Sequence, residues 1–423
     1  MIENTEKREI VIPYIKKNGS EAERVLRVYI PKDIAFPAPA VFYAHYELAE
    51  ESKQLALFLK RGWIVGMCAA APDCNRTLVD DDLYFNNAAF VFFRNMDCVD
   101  GGRVAVYGGS AGGYMAMMLS ILHLGICCTV SFSGIFNQYF NTCCYMRSVH
   151  GLNMLQYEKL NEDEKKNHDI LAKSLPMPLQ FDLQKWFAWF EPDNQKDYVT
   201  LSPCKYVSCF SAPILFAHYT SDNLVPIDQV THRYAYQSAG ASLPAGIKYR
   251  LELCALPDGC DKSLEELIPK EQLAYHLVYT TGDQPDRSVI VPYSPDRKYN
   301  ISVFDDGPVE AFGQHMKYEH GVTDLTGYLH ACFTSGEKEH ITKDKLNMLI
   351  RIYIGDDPIL KAPMKNCNAY GSLKSVRTTV IEELKAYSSI CDDLVETANG
   401  LCDDFPESKD VVAEILHQIR TAG

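Results

Sequence analysis

Residues 104–118 read VAVYGGSAGGYMAMM, and no other stretch of the chain restricts its fold as tightly. A short apolar, strand-like run (residues 103–107) enters the corner Gly108-Gly109-Ser110-Ala111-Gly112 and leaves as a helix-like run of Met, Ala and Leu. Glycines on both sides of the serine let the backbone turn more sharply than side chains would allow. A helix that starts at the corner points its first backbone N–H groups back toward it. A serine at that apex is held out for chemistry, and the corner requires a buried strand followed at once by a covering helix.

The rest of the first 280 residues repeats that alternation, the signature of a mostly parallel sheet with helices on both faces. Residues 9–15 and 25–31 alternate in hydrophobicity around Asn18-Gly19 and predict an antiparallel hairpin at a sheet edge. Further strands are expected at 40–45, 63–69, 103–107, 126–133, 213–219 and 247–256. Helices are expected at SKQLALFLKRG, at the acid-led DDDLYFNNAAFVFFRNM, at 111–124, at QVTHRYAYQSAG and, closing the unit, at KSLEELIPKEQLAYHLVY.

Residues 137–200 break the rhythm with the charge-dense NEDEKKNHD, the Pro-punctuated LPMPLQF and the aromatic WFAWF. A long insertion of this kind predicts a lid over a site, with Trp186, Phe187, Trp189 and Phe190 lining a pocket. The division is therefore a core of 1–136 and 201–281, a lid of 137–200, and a C-terminal extension of 282–423 whose class is open. The extension holds strand-like runs at 289–293, 299–304 and 348–354 and late helices at 376–401 and 408–420, suited to a small domain or a homodimer contact.

Composition excludes several function classes. The formal net charge of −14 and a pI near 5.3 oppose binding to nucleic acid or an anionic membrane. The charged N-terminus has no signal-peptide core and no apolar run reaches membrane-spanning length, so a soluble, cytoplasmic protein is expected. The 15 cysteines are scattered without a CxxC pair, which predicts reduced thiols rather than a zinc or dithiol motif. No metal or cofactor is implied.

Gly108-Gly109-Ser110-Ala111-Gly112 is a GxSxG motif in its strand-turn-helix setting. A second chemical group lies just past the 213–219 strand, where Asp222 in SerAspAsn stands at the sheet edge on which α/β folds gather active groups. Its order after the serine suits an acid that orients a histidine, and Asp228 is a rival inside the next helix.

With these residues in view, the chain resembles the α/β-hydrolase superfamily, most nearly its prolyl-oligopeptidase-like and dienelactone-hydrolase-like branches, over residues 8–280. The resemblance rests on AVFYAHYE, VAVYGGSAGGYMA and SAPILFAHYTSDNLVPIDQ. It implies Ser110 as nucleophile, Asp222 as acid, and an oxyanion hole made of the Ala111 and Tyr46 N–H groups. Where the superfamily has His-Gly-Gly this chain has His45-Tyr46-Glu47, which brings a carboxylate near the hole. Where a histidine is expected after the last strand, LeuProAspGlyCysAsp puts Cys260, and a thiol does not replace imidazole as a base near neutral pH. His315 and His320 in the extension are the candidate bases, His315 being preferred because it lies on a loop after a Gly-Gln pair.

The expected activity is a serine hydrolase that cleaves an ester or peptide-like acyl bond in a small-molecule or peptide-like substrate. The alternative is an inactive α/β-hydrolase-fold binding protein, argued from Cys260.

Overall fold

A computed structural model describes residues 4–16, 18–68, 81–136, 138, 162, 201–217, 225, 275–278, 287–294, 297–303, 326, 329–330, 332–335, 339, 341–354, 357–360, 379–384, 399–400, 402–403, 406 and 409–421. Its centre is an eight-stranded sheet in the order β1-β2-β4-β3-β5-β6-β7-β8. The strands are β1 (Thr5–Ile15), β2 (Glu21–Pro31), β3 (Ala38–Tyr43), β4 (Ile64–Cys68), β5 (Val99–Gly109), β6 (Ile126–Phe132), β7 (Ile214–Ala217) and β8 (Tyr275–Val278). β2 runs antiparallel to both β1 and β4, and every pairing from β4 through β8 is parallel.

The predicted edge hairpin forms as read, from Thr5↔Pro31 to Ile15↔Glu21. Its turn uses Gly19 at φ 84° with the Gly19 N–H donating to the Lys16 carbonyl at 2.8 Å, a backbone shape that suits glycine. Helices α1 (Lys53–Lys60), α2 (Asp81–Arg94) and α3 (Ala111–Leu122) follow β3, β4 and β5. Ser52 caps α1 by accepting the Leu55 N–H, and Asp81 and Asp82 supply the acidic first turn of α2.

Apolar cores fill both faces of the sheet. One gathers α2 and α3 with Leu346, Leu349, Leu384 and Ile415 from the extension, and the other gathers α1 and Trp63 with Leu329 and Phe333. Every residue of α3 is buried, which explains why its sequence is apolar all round rather than striped. The extension is thus folded onto the core, with α4 (Lys343–Ile354) and α5 (Lys409–Thr421) on the α3 face.

Two sequence expectations fail. Tyr275–Val278, read as part of a closing helix, is strand β8, paired with β7 through Tyr275↔Ile214 to Val278↔Ala217. So short a run takes its state from the neighbour it pairs with, not from local periodicity. Residues 348–354, read as a strand, belong to α4, whose Leu346, Leu349, Ile350 and Tyr353 recur at helical spacing and are all buried. The strand expected at 247–256, the helix expected at 229–240 and the lid expected at 137–200, apart from Gln138 and Glu162, lie outside the described residues. The two flanks of the insertion meet, since the Gln138 N–H donates to Ser202 Oγ at 3.0 Å. Beyond β8, β9 (Arg287–Ser294) and β10 (Arg297–Val303) pair as an antiparallel hairpin, and β10 lies beside β8.

The eight-stranded, mostly parallel sheet with an antiparallel edge, helices on both faces and the GxSxG corner between β5 and α3 is the α/β-hydrolase fold that the motif implies.

Candidate active site

Ser110 joins the last residue of β5 to the first residue of α3 at φ 53° and ψ −120°, a left-handed conformation that a serine adopts only when its surroundings hold it there. The Ser110 N–H donates to the Phe132 carbonyl at 2.8 Å, and the Ser110 carbonyl accepts the Tyr114 N–H at 3.2 Å. Its backbone is therefore tied to β6 on one side and to the helix on the other. A serine in this place commonly caps the helix with its hydroxyl. Here the side chain makes no capping bond, and Ser110 is half-buried at the turn.

The glycines account for the sharpness of the corner. A Cβ on Gly108 would collide with the Gly112 carbonyl, and one on Gly112 would stand 2.5 Å from the Ala44 carbonyl oxygen. One on Gly113 would meet Gly134 Cα at 2.7 Å. Each contact is with backbone, which cannot move aside, so GxSxG is a packing requirement of this corner as well as a motif.

Gly112 also brings the loop after β3 to the elbow. The Ala44 N–H donates to the Tyr107 carbonyl at 2.8 Å, and the Tyr46 ring lies 3.6 Å from where a Gly112 Cβ would stand. His45 turns this loop at φ 73°, with its N–H on Asn86 Oδ1 at 2.8 Å and its Nδ1 3.8 Å from Asp82 Oδ2. Arg24 holds Asp82 at 2.7 Å, so the first two turns of α2 fix the loop. Asn86 and Asp82 are positioning residues that sequence reading passed over, because nothing local distinguishes them from other polar residues on an amphipathic helix.

The two implied oxyanion donors differ. Ala111 opens α3, where helix geometry provides no acceptor within the helix for its N–H. The Tyr46 N–H donates to the Ala44 carbonyl at 2.9 Å, closing a three-residue turn around His45. Glu47 is ion-paired with Arg27 of β2, so its carboxylate carries a positive partner there. Ser110, Ala111, Tyr46, Gly108, Gly109 and Gly112 are thus neighbours, whereas Asp222, His315 and Cys260 lie outside the described residues.

The opposite end of α3 carries a buried ionic cluster built by the extension. Lys345 Nζ donates to the carbonyls of Ser120 at 2.7 Å, Ile121 at 2.9 Å and His123 at 2.5 Å. Glu383 accepts the Leu124 N–H at 3.0 Å and meets His123 Nδ1 at 2.7 Å and Arg94 at 3.0 Å. His123 Nε2 lies 2.8 Å from Asn87 Oδ1. Burial would raise the Glu383 carboxyl, but Arg94 and His123 outweigh it and hold it down to about 2. Burial lowers His123 below its ordinary value against the pull of Glu383, and burial likewise lowers Lys345. Glu339 adds a further tie, accepting the Gly125 N–H at 2.8 Å and the Ser211 hydroxyl at 2.9 Å.

Among the described residues no helix is long and apolar enough to cross a membrane, and no group of three His, Cys, Asp or Glu side chains is arranged to hold a metal ion.

No protein-family model matches this chain, and no curated protein matches it. Solved structures similar to it include the Pyrococcus horikoshii acylaminoacyl peptidase, 14% identical with a TM-score of 0.42 over 79% of this chain and 43% of that one. Another is prolyl oligopeptidase B from Galerina marginata, 11% identical with a TM-score of 0.42 over 78% of this chain and 37% of that one. A third is an esterase, 13% identical with a TM-score of 0.41 over 79% of this chain and 83% of that one. The chain spans less than half the length of the two peptidases. By its own strand order and strand-to-helix corner, the chain has the α/β-hydrolase fold, with Ser110 at the apex of that corner.

Proposed function

We propose that this chain is a serine hydrolase that cleaves an ester or peptide-like acyl bond. The observation that carries the reading is Ser110 itself, held at φ 53° by backbone bonds on both sides, with its hydroxyl withheld from the helix cap. Strain at one residue, kept by glycines that admit no side chain, is what a nucleophile elbow requires. In this reading Ser110 Oγ attacks the acyl carbon and gives its proton to a histidine oriented by Asp222. The Ala111 N–H then holds the oxyanion at the positive end of α3. Tyr46 is the second donor, its N–H turning from Ala44 to the substrate oxygen as the His45 turn relaxes.

His315 is the base in this mechanism. What supports it is order along the chain: His315 follows β10, which lies beside β8, and precedes the helical residues near Leu329 and Phe333 that pack on the sheet. The resemblance puts its base after the last core strand, where this chain has Cys260, so in this reading a histidine of the extension takes that role. The 137–200 insertion is the lid over the acyl pocket in this reading, and its flanks lie near the start of α3, where the Gln138 N–H donates to Ser202 Oγ and the Tyr114 hydroxyl donates to the Leu201 carbonyl at 2.9 Å.

A fluorophosphonate probe should label wild-type protein at Ser110, and Ser110→Ala should lose both the label and turnover of short acyl esters. The acylation rate should rise with the ionisation of an imidazole, near pH 6.5, and that rise should vanish in His315→Asn. Labelling that is unchanged in Ser110→Ala overturns the nucleophile, and an unaltered His315→Asn profile overturns the base. An unlabelled wild-type chain supports the binding-protein alternative.

A further inference from the structure

β1 is an edge strand of 11 residues whose one strand neighbour among the described residues is β2. A long free edge presents a row of N–H and C=O groups that another strand can use. The two ends of the hairpin fix which residues present them. The Lys16 N–H donates to the Ser20 carbonyl at 2.9 Å, and the Lys32 N–H donates to the Asn4 carbonyl at 3.1 Å, so residues 4 and 16 both face β2. Residues of an antiparallel strand alternate in this respect, and the register runs without a break from Thr5↔Pro31 to Ile15↔Glu21. Thr5, Lys7, Glu9, Val11, Pro13 and Ile15 therefore turn their backbone polar groups outward. Pro13, which has no N–H, falls where the β2 ladder needs none.

Pro13 also limits what can be added. A new antiparallel strand finds both a donor and an acceptor at Thr5, Lys7, Glu9 and Val11 but not at Pro13, so the usable edge is residues 5–11. That edge is self-complementary. Two copies related by a two-fold axis at Arg8 set Lys7 opposite Glu9 of the second copy and Thr5 opposite Val11. Opposite charges then face each other twice, and Val11, 56% exposed in the single chain, is covered. Lys7 and Glu9 already belong to an alternating surface network, with Lys7 Nζ 2.7 Å from Glu50 and Arg27 Nε 2.9 Å from Glu9. At the axis two copies of Arg8 meet, but each carries its own Glu6 at 2.7 Å, which lies diagonal to the other arginine. An axis at residue 7 would set Lys7 against Lys7. An axis at residue 9 would set Glu9 against Glu9 and bring Pro13 into the ladder.

We propose that this chain forms a two-fold homodimer through β1, the two strands pairing antiparallel over residues 5–11 into one continuous sheet. Backbone bonds supply the affinity, and the Lys7–Glu9 pairs supply the register. A strand pair of this length buries little area, so the association is weak and concentration-dependent. The contact is separate from the C-terminal extension and does not depend on the proposed activity.

The test measures the mass of the purified full chain by sedimentation over a roughly hundredfold range of concentration. The expected result is a shift from one chain to two. Val11→Pro removes an outward N–H while leaving the β2 ladder intact, and should weaken dimerisation about tenfold or more. Oxidative cross-linking reads the register. Arg8→Cys places two thiols across the axis on Cα atoms about 4.5 Å apart and should give a reducible covalent dimer, whereas Glu6→Cys, opposite Ile10, should not. Wild type under the same oxidant sets the background from its own cysteines. A chain that stays monomeric throughout overturns the proposal. So does a dimer that Val11→Pro leaves unchanged, which would place the contact elsewhere, and so does cross-linking of Glu6→Cys in preference to Arg8→Cys.

Discussion

The two ends of α3 are built in opposite ways. At its start, glycines, a strained serine and a first turn without a side-chain cap leave the leading backbone N–H groups of the helix beside a half-buried serine. At its finish, Lys345, Glu383, Arg94 and His123 close the last carbonyls and the following N–H in a buried network. The open end is where an anion formed during acyl transfer would be held, and the positive side chain at the closed end complements the negative end of the helix dipole. A helix left open at one end for chemistry is anchored at the other, and two of the anchors, Lys345 and Glu383, come from more than 200 residues downstream. The extension is therefore part of what holds the elbow helix in place.

The comparison breaks most readily at the closed end. Lys345→Met removes the only cation bonded to the Ser120, Ile121 and His123 carbonyls among the described residues, and should cost about 3–5 kcal/mol of stability. Chemical denaturation checks this, and a loss under about 1 kcal/mol would mean that the cap is dispensable.

Acid should act on the same end. Glu383 is held down to about 2 from an ordinary value of 4.5, so its contribution is present above pH 4.5 and is lost as pH falls toward 2. That gap corresponds to about 3 kcal/mol. His123, lowered by burial, adds to the loss once pH drops below its ordinary 6.5, since protonation then favours the unfolded chain. Stability measured from pH 7 to pH 3 should fall more steeply for wild type than for Glu383→Gln, and parallel curves would refute the assignment.

At the open end, Gly112→Ala puts a methyl 2.5 Å from the Ala44 carbonyl and should cost about 1–3 kcal/mol while displacing the loop that carries Tyr46. Its signature is loss of acyl turnover greater than loss of folded protein. The smallest expected effect is that of Ser110→Ala on stability, within about 0.5 kcal/mol, because Oγ takes no part in capping the helix. A large destabilisation there would show that the hydroxyl is structural and would erase the contrast between the two ends.

Much of this was legible in local sequence. The edge hairpin followed from alternation around Asn18-Gly19, the α2 start from its acids, and the elbow from glycines around a serine between an apolar strand and an apolar helix. Such features depend on residues within a few positions of one another, where φ preference and periodicity act directly. Other features had no local signal. Tyr275–Val278 became a strand because β7 offered it a ladder, and Cys127 bulged because of its register with β5. Glu47 found its partner in Arg27 on β2, and His123 found Glu383 at a separation of 260 residues. By itself the sequence determined the fold class and the apex serine, since both arise from short-range backbone constraints. The partners of the buried charges and the strand at the sheet's far edge were decided only by tertiary structure, because those interactions join residues that neither propensity nor periodicity relates.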